Sequence, residues 1–511
     1  MNGADSLVRT AVASGIRICF ANPGTTELPL VAALDENPGI RPVLCLFEGV
    51  CSGAADGYAR MSGSPAMTLL HLGPGFANAI ANLHNARRAA SGVFNVVGDH
   101  ASWHVDTDPP LAADIVSLAS SVSGWLRSAR SSSDLARDAA DAIRAAQSGV
   151  VSTLIVPHDA QLLAAAAGEV ARAPDPLAPV SGSAVDESAR LLRGGGTTAL
   201  LLGGPALTRR GLHAAARIAG QSGCRLWCDT FPARLERGGD LPAVERLPYF
   251  AEQAVDALSG LSALVLAGTR PPVSFFGYPG IPSRLVPEDC PTAQLAGAGD
   301  DVPQALEELA QALGGAADPE APAPRGPVGR PSGSLTPEKV AAVVAELQPE
   351  GAIVMDESLT ASTAYFEAAV SSAPHSYLAL TGGAIGQGLP AGSGAALACP
   401  DRPVIALQAD GSGMYTIQAL WSQAREGLDV TNIVFANRGY RILMLELARA
   451  GIAEPGAQAR GLTEFEPAPD WARLARGFGV PGTRVSDAEG LWKELERALE
   501  EPGPHLIEVL L

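Results

Sequence analysis

The chain has 511 residues, of which 47% are hydrophobic and 18% charged, a composition typical of a well-buried α/β protein of about three domains. Its formal net charge of −18 disfavours nucleic acid and anionic membranes as partners, because both would be repelled. No secretory signal pattern opens the chain and no apolar run approaches the ~18 residues that span a bilayer, so we expect a cytoplasmic protein.

The first 165 residues alternate short apolar runs with alanine-rich stretches of helical pattern. The predicted strands are 16–20, 43–47, 67–70, 93–97 and 153–156, and the predicted helices include 111–120 and 133–147. Alternation of this kind is typical of a parallel sheet that is covered by helices on both faces.

Two later regions repeat this alternation. The predicted strands are 199–202, 225–227 and 263–266 in the central region, and 352–355, 404–407, 433–435 and 505–510 in the last. Segments rich in proline and small residues, 165–183 and 314–334, read as linkers between the regions. The sequence therefore predicts an α/β protein of three domains, at 1–165, 184–315 and 335–511, each a parallel sheet covered by helices.

Polar residues follow two neighbouring predicted strands of the last domain. Asp410-Gly411-Ser412 comes after strand 404–407, and Asn437-Arg438-Gly439 comes after strand 433–435. In a strand–helix–strand unit both loops lie at the same edge of the sheet, so we expect Asp410 and Asn437 to lie side by side. A carboxylate and an amide oxygen near a helix N-terminus suit a hard cation that bridges to phosphate groups.

This Asp-Gly-Ser stretch, followed by an Asn 27 positions after the Asp, resembles the signature of thiamine-diphosphate-dependent enzymes. In that family the Asp, the Asn and a backbone carbonyl hold Mg²⁺ against the cofactor's diphosphate. The resemblance implies that Asp410, Asn437 and the carbonyl of Gly439 are metal ligands, and that Gly411 and Ser412 contact the cofactor. Ala409 and Ala436 depart from the family pattern, but neither position supplies a ligand in it.

The order of the domains also resembles this family. Pyrimidine-binding, central and diphosphate-binding domains follow one another in the branch that contains decarboxylases and acetolactate synthases, and the likeness covers essentially the whole chain. It implies the thiamine-diphosphate-binding fold in the first and last domains and a Rossmann-like fold in the central one.

A charged residue, Glu48, follows the apolar run 43–47 within LFEGVCSGAADGYAR. A charge in such a context needs either a partner or a function. The stretch resembles the family's E-x8-G-Y-A-R signature, in which the Glu hydrogen-bonds N1′ of the cofactor's aminopyrimidine. In the family this bond favours the imino form, which takes the C2 proton of the thiazolium and generates the ylide. The resemblance makes Glu48 a catalytic and cofactor-binding residue.

The glycine-rich stretch LTGGAIGQGLP at 380–390 carries one bulky residue, Ile385. Its glycines permit close approach of the backbone to a ligand. By resemblance, Ile385 separates the two cofactor rings in a V conformation, and the backbone around Gly383 binds the pyrimidine. The family places a further cofactor contact after strand 352–355, where Ser358 and Leu359 stand in this chain.

The substrate side combines features of two enzyme groups. ANPGTTELP at 21–29 resembles the first loop of benzoylformate decarboxylases, with Thr25 where those enzymes have Ser, and His71 stands where they carry an active-site His. The following Gly73-Pro74-Gly75 has instead the acetolactate synthase form. A His at the end of an apolar run could protonate an enamine or relay protons to the substrate, so we predict that His71 is catalytic and contacts substrate.

Two other loops supply substrate candidates. His100 and His104 are spaced i, i+4, but no third metal ligand is apparent, and we keep His100 as a possible substrate contact. Phe276 stands near the place where benzoylformate decarboxylases supply a second His, so that proton relay is at least incomplete here. The flavin-site pattern of acetolactate synthases is not recognisable between 184 and 315, and we do not expect FAD.

These residues predict a thiamine-diphosphate- and Mg²⁺-dependent enzyme that decarboxylates a 2-oxo acid to an enamine and ligates it to a second carbonyl compound. A non-ligating decarboxylase of the benzoylformate type and a non-catalytic cofactor-binding subunit stay open as alternatives. A Rossmann dehydrogenase is disfavoured because no G-x-G-x-x-G opens a helix after a strand. The family builds its sites between subunits, which implies a homodimer or homotetramer in which Glu48 of one chain faces Asp410 and Ile385 of another.

Overall fold

The computed structural model describes residues 1–315 and 329–511, which form two compact units. The first unit contains Met1–Pro174, Gly329–Glu367 and Leu380–Leu511, and the second contains the described part of Asp175–Val328 together with Ala368–Ala379. Residues 316–328 of the predicted linker 314–334 lie outside the described residues. Within the described ranges, no helix is long and apolar enough to cross a membrane.

The first sheet is built from the N-terminal part of the first unit. Its strands are β1 (Ile18–Asn22), β2 (Arg41–Leu44), β3 (Ala66–His71), β4 (Val93–Asp99), β5 (Trp125–Ser128) and β6 (Val151–Pro157). They run parallel in the order β2-β1-β3-β4-β6-β5. The helices are α1 (Gly3–Ala13), α2 (Leu28–Glu36), α3 (Glu48–Ser62), α4 (Leu72–Arg88), α5 (Ile115–Ser120), α6 (Leu135–Gln147) and α7 (His158–Leu162).

Helices cover both faces of this sheet because its strands are apolar on both sides. Successive side chains of a strand point to opposite faces, and Cys19 and Phe20 of β1 accordingly belong to two different hydrophobic clusters. Both residues are fully buried. With its faces covered, the sheet exposes its polar groups at the strand ends.

The second unit contains the second parallel sheet. Its helices are α8 (Gly182–Arg193), α9 (Arg209–Ser222), α10 (Ala251–Leu258) and α11 (Val302–Leu313). Its strands are β7 (Thr198–Leu202), β8 (Arg225–Cys228), β9 (Leu235–Arg237), β10 (Glu245–Arg246), β11 (Ala263–Ala267) and β12 (Thr292–Ala296). Five of them run parallel in the order β10-β8-β7-β11-β12.

The C-terminal part of the chain contributes the remaining strands. They are β13 (Ile353–Glu357), β14 (His375–Ala379), β15 (Val404–Ala409), β16 (Val430–Ala436), β17 (Gly482–Val485) and β18 (His505–Leu510). In the first unit, β17-β18-β16-β15-β13 run parallel in that order, whereas in the second unit β14 pairs with β9 in antiparallel orientation. The helices are α12 (Pro337–Leu347), α13 (Ser362–Ala368), α14 (Gly388–Ala398), α15 (Asp410–Gly413), α16 (Ala419–Glu426), α17 (Arg441–Arg449), α18 (Ala457–Thr463), α19 (Trp471–Gly477) and α20 (Ala488–Glu500).

Three α/β domains dominated by parallel sheets confirm the predicted fold class. The sequence-based strands missed β5, β9, β10, β12, β14 and β17. Five of these, β5, β9, β10, β12 and β17, are edge strands, which pair on one side only and need no continuous apolar run. The exact domain boundaries stay a prediction.

Candidate active site

The carboxyl ends of strands in the first sheet carry a row of titratable side chains. Glu27 follows β1, Glu48 follows β2, His71 ends β3 and Asp99 ends β4. Because these strands are parallel, the four residues lie at one edge of the sheet, where ligands bind in open α/β folds. This edge is therefore the first part of the candidate site.

Glu48 opens helix α3 and does not end a strand, because β2 already ends at Leu44. The residue is 9% exposed, and its Oε2 accepts a hydrogen bond from Nδ2 of Asn78 at 2.9 Å. A Cβ placed on Gly75 would lie 2.9 Å from Oε1 of Glu48 and 3.4 Å from Cβ of His71. Glu48 and His71 therefore border the same glycine of α4.

His71 is anchored by a buried acid. Its Nδ1 lies 2.7 Å from Oε2 of Glu27, which has no exposed surface, and 3.4 Å from Oγ1 of Thr26. The hydroxyl of Thr26 also donates to Oε1 of Glu27 at 2.6 Å. The neighbour of His71 in this loop is thus Thr26, whereas the predicted substrate residue Thr25 is exposed.

His100 follows the last of these strand ends. Its backbone N–H donates to Oδ1 of Asp99 at 2.7 Å, and its ring packs edge-on against His104 at 5.8 Å between centroids. Nε2 of His100 is buried without a hydrogen-bond partner in the described part of the chain. Burial raises the pKa of Asp99 above its ordinary value, and the charge of Glu27 adds to this. The predicted substrate role of His100 stays a prediction.

Phe276 lies in the second unit, after β11. It is 53% exposed and packs edge-to-face on Phe275 at 5.0 Å between ring centroids. Phe275 in turn packs against Tyr249 and Phe231, so Phe276 belongs to a local aromatic cluster. Its predicted substrate role also stays a prediction.

The glycine loop, residues 380–388, is held next to Glu48 by Asn82 of α4. Nδ2 of Asn82 donates to the carbonyl of Gly49 at 2.8 Å and to the carbonyl of Gly386 at 3.1 Å. Gly49 follows Glu48 in the first turn of α3. Within a single chain, the start of α3 therefore lies beside the glycine loop.

Asn85 of α4 fixes the middle of the glycine loop. Its Nδ2 donates to the carbonyl of Ala384 at 2.7 Å, and its Oδ1 accepts the N–H of Ala384 at 3.2 Å. Gly383 and Gly386 have φ of +78° and +98°, a conformation that favours glycine over any residue with a Cβ. Ile385 is half-buried between them.

A buried ion pair joins the DGYAR stretch to the same loop. Nη2 of Arg60 lies 2.7 Å from Oδ2 of Asp56 and donates to Oγ1 of Thr381 at 2.9 Å. Asp56 also accepts hydrogen bonds from Ser91 and from the side chain of Gln387. The pair therefore has a structural task, which is to fasten both ends of the glycine loop to α3.

Glu357, the last residue of β13, supports the glycine loop from the other side. Its Oε1 accepts the N–H of Gly386 at 2.6 Å, and its Oε2 accepts the N–H of Gly388. Burial raises the pKa of Glu357 to about 7, although these hydrogen bonds oppose the rise. A carboxyl group that changes charge near neutral pH is therefore hydrogen-bonded to the glycine loop that carries Ile385.

Replacing Glu357 by Gln should flatten the dependence of stability on pH. The pKa of Glu357 is about 7 in the folded chain against an ordinary value of 4.5, so the folded state binds this proton more tightly. Its contribution to stability is complete below about pH 4.5 and is lost as pH rises through about 7. The two values differ by an equivalent of about 3 kcal/mol. Urea unfolding followed by tryptophan fluorescence measures this. The free energy of unfolding of Glu357→Gln, relative to that of the unsubstituted protein, should rise by about this amount between pH 5 and pH 8. Parallel stability curves for the two proteins would contradict the assignment.

Asp410 follows β15 and Asn437 follows β16, and these neighbouring parallel strands bring both residues to one edge of the C-terminal sheet, as the sequence predicted. Oδ2 of Asp410 accepts the N–H of Arg438 at 2.6 Å, and Oδ1 accepts the N–H of Gly411 at 2.9 Å. Asp410 is 2% exposed, and burial raises its pKa to about 6. The N–H of Gly439 donates to Oδ1 of Asn437 at 3.2 Å.

Aromatic rings crowd Gly411 and connect this edge with the glycine loop. A Cβ on Gly411 would lie 2.7 Å from Cε1 of Tyr440 and 2.9 Å from Cζ of Phe465. Burial and a hydrogen bond with Tyr415 raise the pKa of Tyr440. A Cβ on Gly386 would lie 2.6 Å from Cβ of Tyr415. A series of contacts through Tyr440, Tyr415 and Asn82 therefore leads from the neighbourhood of Asp410 to that of Glu48.

Of three other predicted cofactor residues, two have hydrogen-bonded side chains and one has an unusual backbone conformation. The hydroxyl of Ser412 accepts from Nε2 of Gln408 at 2.5 Å, and that of Ser358 donates to Oδ1 of Asp356 at 2.6 Å. Leu359 has φ of +54°, which is unusual for a residue with a Cβ. Ser358 and Ser412 can therefore offer a cofactor mainly their backbone groups.

The residues fit a cation held against a diphosphate. Asp410 is a buried carboxylate with no salt bridge within residues 1–315 and 329–511, and such a charge calls for a cation. No group of three or more His, Cys, Asp or Glu able to hold a metal occurs in these ranges, and a cation beside Asp410 would also draw on amide or backbone oxygens. Asn437 and the carbonyl of Gly439 supply such oxygens.

Sequence reasoning missed Glu27, Asn78 and Glu357. Two of them carried the signal that identified Glu48, an acid near an apolar run: Glu27 precedes the run that begins at Leu28, and Glu357 follows the run 352–355 after one intervening residue, Asp356. Both are completely or almost completely buried. Asn78 carried no such signal, because polar residues are common on helices.

Known proteins resemble this chain along its whole length. Residues 1–118 match the family described as "Thiamine pyrophosphate enzyme, N-terminal TPP binding domain", and residues 360–509 match the corresponding C-terminal TPP binding domain. A Mycobacterium tuberculosis H37Rv protein, IlvX, named provisionally as an acetolactate synthase large subunit, is 49% identical over 523 residues, which cover 100% of this chain and 99% of that protein.

Two decarboxylases are also similar. Benzoylformate decarboxylase of Pseudomonas aeruginosa is 30% identical over 527 residues, with 97% of this chain and 96% of that protein covered. The solved structure of a thiamine diphosphate-dependent 4-hydroxybenzoylformate decarboxylase from Rhodococcus jostii RHA1 has a TM-score of 0.86 at 26% identity. That match covers 99% of this chain and 98% of the solved one.

Proposed function

Because the chain belongs to the thiamine pyrophosphate enzyme family, we propose that it binds thiamine diphosphate with Mg²⁺ and decarboxylates a 2-oxo acid. The observation that carries this proposal is the placement of Glu48 and His71 beside the same glycine, Gly75. Glu48 can exchange a proton with the pyrimidine, and His71 can exchange one with the substrate, within one small region. The names of two relatives favour an aromatic 2-oxo acid as substrate.

Four residues would hold the cofactor. Asp410, Asn437 and the carbonyl of Gly439 would bind Mg²⁺ at the diphosphate end, and Glu48 would hydrogen-bond N1′ of the pyrimidine at the other. Ile385 would separate the two rings. Bound thiamine diphosphate supplies a carbon nucleophile that adds to the 2-oxo group and accepts the electrons left by CO₂.

The position of His71 leads us to propose that the reaction ends in protonation and release of an aldehyde. Held by Glu27 and partly exposed, it can deliver a proton to the carbon that has lost CO₂, and this releases an aldehyde. Carboligation, the ending that the sequence first favoured, is the second candidate. It is supported by the Gly73-Pro74-Gly75 loop and by the 49% identical relative whose name gives an acetolactate synthase subunit.

Product analysis separates these endings. The holoenzyme is incubated with pyruvate or with phenylglyoxylate, with and without an added aldehyde, and products are identified by mass spectrometry. We expect equimolar CO₂ and the aldehyde of the aromatic acid, with no turnover once Mg²⁺ is chelated. A 2-hydroxy ketone as main product would favour carboligation. Cofactor binding without turnover of any 2-oxo acid would favour a non-catalytic subunit.

A further inference from the structure

Glu27 is a charged residue with no exposed surface, and its carboxylate is fully used by its neighbours. Oε2 accepts the N–H of Gly24 at 2.8 Å and faces Nδ1 of His71 at 2.7 Å. Oε1 accepts the hydroxyl of Thr26 at 2.6 Å. Because a buried charge is costly, an acid kept at such a position needs a task.

The two glycines beside this pair provide its space. A Cβ on Gly98 of β4 would lie 1.8 Å from Oε1 of Glu27, and a Cβ on Gly24 would lie 2.3 Å from Nδ1 of His71. Neither glycine has a positive φ, so an ordinary residue could adopt the same backbone conformation. Glycine is needed at both positions because a Cβ would clash with the Glu27–His71 pair. Gly24 and Glu27 follow β1, His71 ends β3 and Gly98 lies in β4, so three neighbouring segments of the chain leave room for one hydrogen bond.

This hydrogen bond determines which ring nitrogen of His71 carries the proton. A carboxylate has only acceptors, so Nδ1 must donate to Oε2. Nε2 then has its lone pair free and makes no hydrogen bond within the described residues, on a side chain that is 24% exposed. Nε2 is thus the nitrogen that can take up and release a proton.

We propose that Glu27 is the positioning residue for His71. It fixes the orientation of the ring and the tautomer protonated at Nδ1, so that Nε2 is left to exchange a proton with the substrate. The inference rests on the proposed function for its catalytic consequence. Its structural part concerns only the ring of His71 and can be tested without cofactor or substrate. Glu27 acts through His71 and need not contact the cofactor or the substrate.

Two substitutions of Glu27 separate hydrogen bonding from charge. In Glu27→Gln, the amide oxygen must take the place of Oε2, since the N–H of Gly24 and Nδ1 of His71 both point there. The amide nitrogen then faces Thr26, whose hydroxyl can turn to accept. The Gln variant should keep the tautomer, and Glu27→Ala should lose it.

The first readout is the tautomer itself. Protein labelled with ¹⁵N-histidine is examined without cofactor, and the ring signals of His71 are assigned by their loss in His71→Gln. The unsubstituted protein and Glu27→Gln should both show a protonated Nδ1, whereas Glu27→Ala should show both tautomers. A protonated Nε2 in the unsubstituted protein would overturn the proposal, even if no substrate is ever found.

The second readout is turnover of the 2-oxo acid. Glu27→Ala should lower kcat by about 100-fold, as far as His71→Ala does, with a change in KM of less than about threefold. Glu27→Gln should stay within about tenfold of the unsubstituted enzyme. A Gln variant as slow as the Ala variant, or an Ala variant with normal kcat, would contradict positioning through the hydrogen bond.

Gly98→Ala gives an independent test in which Glu27 is retained. The added methyl group must displace the carboxylate, so this variant should show both tautomers and lose kcat as Glu27→Ala does. In the double variant Glu27→Ala/Gly98→Ala the methyl group meets no carboxylate, and kcat should fall less than about twofold further. Additive losses would show that Gly98→Ala acts elsewhere and would count against the proposal. Thermal midpoints of all variants identify any that fail to fold.

Discussion

Glu48→Gln is expected to bind the cofactor almost normally and to lose most of its turnover. Gln keeps the shape of Glu and can still accept the hydrogen bond from Asn78, so the first turn of α3 should be unchanged. It cannot give or take the proton that the pyrimidine requires. Loss of a positioned general acid–base typically costs a factor of about 10²–10⁴ in rate.

Two measurements decide this prediction. Cofactor affinity is obtained by quenching of tryptophan fluorescence in the presence of Mg²⁺, and kcat is obtained from aldehyde release. Asn78→Ala is the matched control, because it leaves the carboxylate in place and removes only its hydrogen-bond donor, so it should lose less. Normal kcat in Glu48→Gln would remove Glu48 from the mechanism. A parallel loss of binding and kcat would make it a binding residue only.

The sequence predicted the core of each sheet better than its edges. Central strands such as β4 and β15 are buried on both faces and read as continuous apolar runs. Edge strands pair on one side, and β12 alternates exposed and buried residues, so they resemble ordinary loops. A run of apolar residues in the sequence therefore identifies a strand that is buried on both faces, and it fails to identify a strand that is only partly buried.

The candidate site shows a similar division. Asp410 and Asn437 could be paired from the sequence because parallel strands place their carboxyl ends at one edge. The partnership of Glu27 with His71 could not, since 44 positions separate them and the pairing depends on the room that Gly24 and Gly98 leave. The structure places Thr26 beside His71, and the substrate role of Thr25 stays a prediction.

Asp410→Ala is expected to abolish Mg²⁺-dependent binding of the cofactor. The carboxylate is the one charged member of the proposed ligand set, and its removal also leaves the N–H of Arg438 without its acceptor. Loss of a residue that merely supports a ligand costs about 10–100-fold in affinity, so loss of the ligand itself should exceed this. Asp410→Asn, which keeps an oxygen for Arg438 but has no charge, should lose Mg²⁺-dependent binding as well. Normal binding by the Asn variant would refute the ligand assignment.

Glu48→Gln and Asp410→Ala together also test whether the site is shared between subunits. The two variants are co-expressed with different affinity tags, and the mixed oligomer is isolated with both. If Glu48 of one chain serves Asp410 of another, a mixed dimer holds one intact site and one doubly substituted site, and about half of the kcat per dimer should return. If each chain uses its own pair, as the contacts through Asn82 in a single chain would permit, no activity returns. An active monomer in sedimentation would likewise contradict the shared site.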